Sequence, residues 1–201
     1  YERLINLDLF KNLTLGIDPE LFTYDQIQKF FIKNNKIKFI KKNLVDKIKK
    51  QRIYNSNLFY SLNEKIVGES TSSKINKISK YLKKKNSDFI FISAPENVAW
   101  ILNIRGKDSP NSPTPNARLI ISKNKKIFLI SEIRKCKKLF KEKKINLKQV
   151  ISIKEFSKKI LNFNGKSFII DNKSCSIFYE NIIKSKFKII KGDDPTYYLK
   201  S

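Results

Sequence analysis

No histidine occurs anywhere in the 201 residues, which narrows the chemistry before any motif is read. Ser-His-Asp and Cys-His nucleophile arrangements are excluded, as are zinc sites that use imidazole. Carboxylates, lysines and two thiols remain. Asp193 and Asp194 are adjacent, but they precede Pro195 in a polar stretch where aspartates bond their own backbone, so a solvated turn is expected rather than a metal site. Glu64 and Glu69 show no partner at acid–base spacing. Cys136 shares a helical face with Ile133, Leu139 and Phe140 and reads as core. Cys175 follows Ser174, a candidate N-cap at which a helix dipole could lower a thiol pKa. The two cysteines lie outside any CxxC spacing, and no disulfide framework is expected. Five glycines, at 16, 68, 106, 165 and 192, fit neither GxGxxG nor Walker spacing, which argues against a dinucleotide or P-loop site.

The stretch "VAWILNIRG", residues 98–106, carries the most pointed chemistry. Its first half is apolar around Trp100; its second half ends on Asn103, Arg105 and Gly106, with Lys107, Asp108 and the proline-rich "SPNSPTP" beyond. One reading is an ordinary helix end, with Arg105 as the favourable cation and Gly106 as the left-handed cap. The other aims Arg105 at a site, since a desolvated guanidinium can clamp a carboxylate or backbone carbonyls.

Composition sets the frame for either reading. With 40% hydrophobic and 12% aromatic residues the chain is a globular one despite its 30% charge. The net charge of +25 suggests nucleic acid, but the arginines are confined to positions 3, 52, 105, 118 and 134. Arginine supplies the bidentate fork for phosphates and guanine edges, whereas lysine is a hydrated point charge. The lysines travel with Ile and Asn, the signature of an AT-rich genome on solvated surfaces, so only weak, salt-sensitive polyanion binding follows. No apolar run approaches the roughly 20 residues needed to span a bilayer. The chain opens on Tyr1 and contains no methionine; a fragment of a longer protein is expected.

The elements that must position these residues follow from periodicity. "LTLGID" reads as a strand, Thr23 as the cap of a helix with Tyr24, Ile27, Phe30 and Phe31 on one face, and "IKFI" as the returning strand, giving a βαβ unit. Residues 41–73 loosen into a covering segment with a short helix at "NLVDKIKKQR". Ser72 or Ser73 caps a helix to about Asn86, buried through Ile75, Ile78 and Leu82. "DFIFIS" is a central strand, Pro95 opens the helix "PENVAWILN", and "ARLIIS" and "KIFLIS" form a hairpin about Lys123-Asn124-Lys125. A helix over 132–144, the strand "QVISI", a helix near 154–161, the strand "SFIID", a helix near 174–185 and the strand "FKII" complete the pattern. The alternation predicts an α/β fold, a three-layer α/β/α arrangement around a mixed sheet, over residues 1–192, with "KGDDPTYYLKS" leaving it as the start of a connection at 193–201.

Several of these stretches, in order, resemble the Xaa-Pro aminopeptidases of the creatinase/prolidase type. "ENVAWILNIRGKDSPNSPTPNARLIIS" is similar to a D-x-I-A-W-L-L-N-I-R-G-x-D segment, with Asn97 where Asp is common. "LGIDPELFT", "NLVDKI" (with Lys49 in place of a tryptophan), "VGESTSSKINKI" and "DDPTYYLKS" match further segments. The resemblance implies the non-catalytic middle domain, of creatinase N-terminal, ribonuclease-H-like fold, linked to a pita-bread catalytic domain that this chain does not contain. The implied parent is a cytoplasmic metallopeptidase that hydrolyses N-terminal X–Pro bonds with two divalent ions, usually manganese, held by residues absent here; no cofactor is expected in this chain. Asn103, Arg105 and Asp108 would lie on the side facing the catalytic cleft, as substrate-proximal or interdomain contacts. The implied partners are that catalytic domain, a proline-containing peptide and a second copy in a homo-oligomer, with no specific nucleic acid and no membrane. The rival readings are a pita-bread pseudoenzyme or binding module, and a basic nucleic-acid-binding domain.

Overall fold

The computed structural model describes residues 11–33, 35–40, 43–48 and 57–200; Arg3, Lys49 and Arg52 lie outside them. Its contacts divide the chain into two compact units, 1–54 with 172–181, and 55–171 with 182–201.

In the first unit, β1 (Thr14–Ile17), α1 (Tyr24–Phe30) and β2 (Lys36–Phe39) form the expected βαβ, with β1 and β2 parallel. Thr23 starts α1 through a reciprocal capping box: its side chain accepts from the Gln26 N–H while the Gln26 side chain accepts from the Thr23 N–H. Ile17, Ile27 and Ile177 form its small core, flanked by Phe22, Tyr24 and Phe31. The short helix α2 (Leu44–Ile48) follows.

The second unit is built on a six-stranded mixed sheet. Its elements are β3 (Tyr60–Ser61), α3 (Glu64–Val67), α4 (Thr71–Lys84), β4 (Phe89–Ile92), α5 (Pro95–Leu102), β5 (Ile104–Arg105), β6 (Arg118–Ser122), β7 (Ile127–Ile130), α6 (Lys137–Lys141), β8 (Val150–Ile151), α7 (Phe156–Ile160) and β9 (Ser167–Ile170), then, after α8 (Ile177–Lys184), β10 (Lys188–Lys191) and α9 (Thr196–Leu199). The strand order is β10-β9-β4-β6-β7-β8. The hairpin β6–β7 is antiparallel as expected, and β4 sits between parallel β9 and antiparallel β6. Side chains alternate across the sheet with period two. Ile90, Ile92, Leu119, Ile121, Leu129 and Ile169 pack with Ile78 and Leu82 of α4, Val98 and Ile101 of α5, and Leu139 of α6. Phe89, Phe91 and Phe168 point the other way, in ring contact with Phe163, Phe156 and Phe187. Two helical layers on opposite faces of one mixed sheet give the three-layer α/β/α class.

Local differences have local causes. Helix α4 is capped by Ser70, whose hydroxyl accepts from the Ser73 N–H, two or three residues before the expected Ser72 or Ser73. The helix expected over 132–144 is a 3-10 turn, Ile133–Cys136, running into the short α6. Cys175 lies two residues ahead of α8, which starts at Ile177; its thiol is buried and donates to the Ser176 carbonyl. Cys136 is core, as read from the sequence; burial pushes its thiol up to about 12. At pH 8 a thiol of that pKa is thiolate to roughly one part in ten thousand. In native buffer a disulfide reagent should therefore modify neither cysteine, and labelling should track global unfolding; rapid native labelling of Cys136 would contradict this packing.

Candidate functional site

Two of the sequence motifs interlock through one buried ammonium. In "GESTSSKI", Gly68 closes α3 in the left-handed region (φ 75°), Ser70 caps α4, and Lys74 lies in its first turns. The Lys74 residue is only 1% exposed. Its Nζ donates to the Trp100 carbonyl at 2.8 Å and to Asn103 Oδ1 at 2.6 Å, and it stands 4.2 Å from the centre of the Trp100 ring. The last carbonyls of a helix lack intrahelical donors and carry the negative end of its dipole. A cation at the end of α5 satisfies both deficits, and the indole face adds a cation–π contact. Asn103 is itself the left-handed residue that closes α5 (φ 53°), so the cap expected at Gly106 falls three residues earlier. Asparagine tolerates that conformation better than most residues. The Asn103 Nδ2 donates to the Glu69 carbonyl at 2.8 Å, which returns the link to the first motif. The Glu69 carboxyl is held below the usual carboxylate range by hydrogen bonds from Lys77 and Ser73. Burial lowers the Lys74 pKa, Glu69 opposes that shift, and the Arg105 charge adds to it.

Beyond Asn103 the chain forms β5, antiparallel to β3, and Arg105 is half-buried. Its Nη1 donates to the Ile104 carbonyl at 2.9 Å and, at 3.4 Å, to the Ala99 carbonyl of α5. Among the described residues no carboxylate lies at ion-pair distance from it. Gly106 answers to close approach: a Cβ there would sit 2.7 Å from Pro115 Cα, and its N–H donates to the Pro113 carbonyl at 2.9 Å. The proline loop thus folds back on the glycine. Asp108 fastens the same loop, with Oδ2 accepting from the Asn116 N–H at 2.6 Å and Oδ1 pairing with the buried Lys135 ammonium. The structure therefore gives Asn103 and Asp108 partners within the domain and leaves Arg105 as the cation with donors to spare.

The other end of α5 holds a cluster that sequence reasoning missed. Asp194 is no solvated turn; it is 2% exposed. Its Oδ2 accepts from Asn97 Nδ2 at 2.7 Å, and its Oδ1 accepts from the Thr196 N–H at 2.9 Å and hydroxyl at 2.5 Å. Lys200 Nζ donates to Asn97 Oδ1. The signal was present as a lone asparagine among apolar residues in "PENVAWIL", since a polar side chain on a buried helix requires a partner. A cleft of about 230 Å³ lies between the start of α4, with Ser70 and Thr71, and Lys143, Lys144 and Asn103. Among the described residues no group of three or more Cys, Asp or Glu is placed to hold a metal ion, and no helix is long and apolar enough to cross a membrane.

Comparison with known proteins adds a family. The creatinase/prolidase N-terminal domain model matches residues 50–201. Xaa-Pro aminopeptidase 1 of Dictyostelium discoideum is 27% identical over 190 residues, covering 86% of this chain and 30% of that protein. Aminopeptidase P1 of Lotus japonicus is 30% identical over 135 residues, covering 64% of this chain and 20% of its own length. Among solved structures, an X-prolyl aminopeptidase from Caenorhabditis elegans, described as a cytosolic enzyme with a di-nuclear active site, superposes with a TM-score of 0.74 at 21% identity, over 94% of this chain and 32% of that one. That likeness establishes the fold. The chain thus spans about a third or less of each of these three proteins.

The Lys74–Asn103 link predicts separable losses. Asn103→Gly keeps the backbone and removes both side-chain hydrogen bonds of a buried site, at about 1–3 kcal/mol; Asn103→Ala adds roughly 1 kcal/mol more for the left-handed conformation. Chemical denaturation of the two variants checks the order, and equal stability of both with wild type would contradict the link.

Proposed function

The chain belongs to the creatinase/prolidase N-terminal domain family, and on that premise we propose that it is the non-catalytic middle domain of an Xaa-Pro aminopeptidase. The observation that carries this reading is the ordered run of motifs, supported by the resemblance to a Dictyostelium Xaa-Pro aminopeptidase over 190 residues. In this proposal the parent protein hydrolyses the bond between an N-terminal residue and a following proline. Two divalent metal ions, manganese by family resemblance, would supply an activated water for that reaction. In this reading the ions are held outside this domain, which takes the role of a wall. It shapes the entrance to the site and packs against a catalytic domain or a second subunit. The name of the nematode relative favours a cytosolic setting for the parent.

Arg105 is the residue we assign to the facing surface. Its carbonyl contacts hold the side chain along the end of α5, while its remaining N–H groups can meet a substrate carbonyl or an interdomain carboxylate in a fork that lysine cannot reproduce. Asn103 and Asp108 would act behind it, the first by closing α5 and the second by fastening the proline loop.

The test uses the longest natural polypeptide that contains this sequence, assayed on an X-Pro peptide with manganese and with a chelator. Chelation should abolish hydrolysis. Arg105→Ala should lower kcat/KM about tenfold or more, one lost charged hydrogen bond being worth that factor, with little change in melting temperature, and Arg105→Lys should not restore it. Unchanged kinetics in Arg105→Ala would refute the assignment, and an absence of hydrolysis by the manganese-loaded wild type would favour a pseudoenzyme.

A further inference from the structure

The registers of the large sheet bring four segments together at one of its ends. Phe89 opens β4 opposite Phe168 of β9 and Ser122 of β6, Lys188 opens β10 opposite Ser167, and Ile121 pairs with Ile127 of β7. Residues 83–88, 123–126, 162–166 and 184–188, which include or flank those strand ends, hold ten lysines and one carboxylate, Asp88. All ten lysines are exposed. Asp88 is already engaged, accepting from the Lys123 ammonium and from the Lys166 and Ser167 N–H groups. Beyond the other ends of β4, β7, β9 and β10 stand Glu96, Glu132, Asp171, Asp193 and Asp194. Nucleotide composition raises lysine everywhere and does not clear carboxylates from one end alone, so this asymmetry is a property of the surface.

The basic end also holds a shaped groove. It has a volume of about 350 Å³ and lies between Lys123, Asn124 and Lys126 of the hairpin turn and Asn162, Phe163 and Asn164. The half-buried rings of Phe128 and Phe163 line it, with their centres 4.5 Å apart. The Phe163 segment is held in place, because Lys186 Nζ donates to the Leu161 and Phe163 carbonyls at 2.6 and 2.7 Å. Glycine at 165 lets that segment lie close on the sheet: a Cβ there would sit 2.5 Å from Phe89 Cε2.

We propose that this end of the sheet is a docking surface for single-stranded nucleic acid. Phe128 and Phe163 take up a base, the side-chain amides meet base edges, and the lysines of the hairpin turn and of the end of α4 meet the neighbouring phosphates. Such binding is tolerant of sequence and weakened by salt. The scarcity of arginine counts against base-edge specificity and leaves contacts of this kind untouched. An acidic peptide would use the ammonium groups and leave the rings without a partner. The surface stands apart from the peptidase reading and makes no use of Arg105.

Fluorescence anisotropy tests it, with a labelled oligouridylate of about 12 nucleotides and the longest natural polypeptide that contains this sequence. Lys84→Glu with Lys126→Glu should weaken binding about tenfold or more. Lys65→Glu with Lys137→Glu makes the same charge change on α3 and α6, outside these segments. It should cost about twofold at most near physiological salt, where exposed charges more than roughly 8 Å apart are screened. All four lysines are exposed, so neither pair puts folding at stake. Phe163→Leu keeps an apolar side chain against Phe89 and Phe128 and removes the ring, and should weaken binding about fivefold or more, the value of one stacked base. Poly-glutamate of matched charge should bind more weakly than the oligouridylate and be indifferent to Phe163→Leu. Equal losses from the two lysine pairs, or oligouridylate binding unchanged in Phe163→Leu, would overturn the proposal. Poly-glutamate bound as tightly as the oligouridylate would overturn it in favour of an acidic protein partner.

Discussion

The ammonium of Lys74 is the constraint on which the polar end of this domain depends. A buried cation without acceptors is far too costly to keep, so its position dictates where acceptors must be. The Trp100 carbonyl and Asn103 Oδ1 supply them, and both belong to the end of α5. Helix α5 must therefore stop at Asn103, in the left-handed conformation, with its last carbonyls turned toward α4. Once that is fixed, the direction of β5 and the place of Arg105 follow, because β5 starts directly after the cap and only Ile104 separates Arg105 from it.

Around this point the sheet does the bulk of the stabilising. Aliphatic side chains fill one face, against α4, α5 and α6, while phenylalanines dominate the other, against α7 and the segment near Phe163. Non-directional burial of this kind fixes a layered architecture but cannot say where a helix ends. The polar anchors at the two ends of α5 do that. Lys74 and Asn103 set one end, and Asn97 with Asp194 sets the other. A helix pinned at both ends fixes the place of the side chains that follow it.

Much of the fold was legible in the sequence because period-two apolar runs such as "DFIFIS" and a hairpin signal at Lys123-Asn124-Lys125 depend on local chemistry. Helix ends were less legible. Ser70, Ser72 and Ser73 all qualify as caps by residue type, and only the geometry of the Ser70 hydroxyl decides among them. The site was legible as a motif and illegible as a mechanism. "WILN" and "GESTSSK" stood out, but their joint meaning is a contact between residues 29 apart in sequence, Lys74 and Asn103, which no local pattern encodes. Asp194 was misread for a related reason. The local turn is present, with Asp194 accepting from the Thr196 N–H and hydroxyl two residues on, but the tertiary donor Asn97 buries it.

A double-mutant cycle between Lys74 and Asn103, read by equilibrium unfolding, tests the central claim most directly. Lys74→Met and Asn103→Gly remove opposite sides of one buried link, so their effects should fall short of additive by about 1 kcal/mol or more. Losses that add within about 0.3 kcal/mol would mean the two residues stabilise the chain independently, and the ammonium would not be what holds the end of this helix.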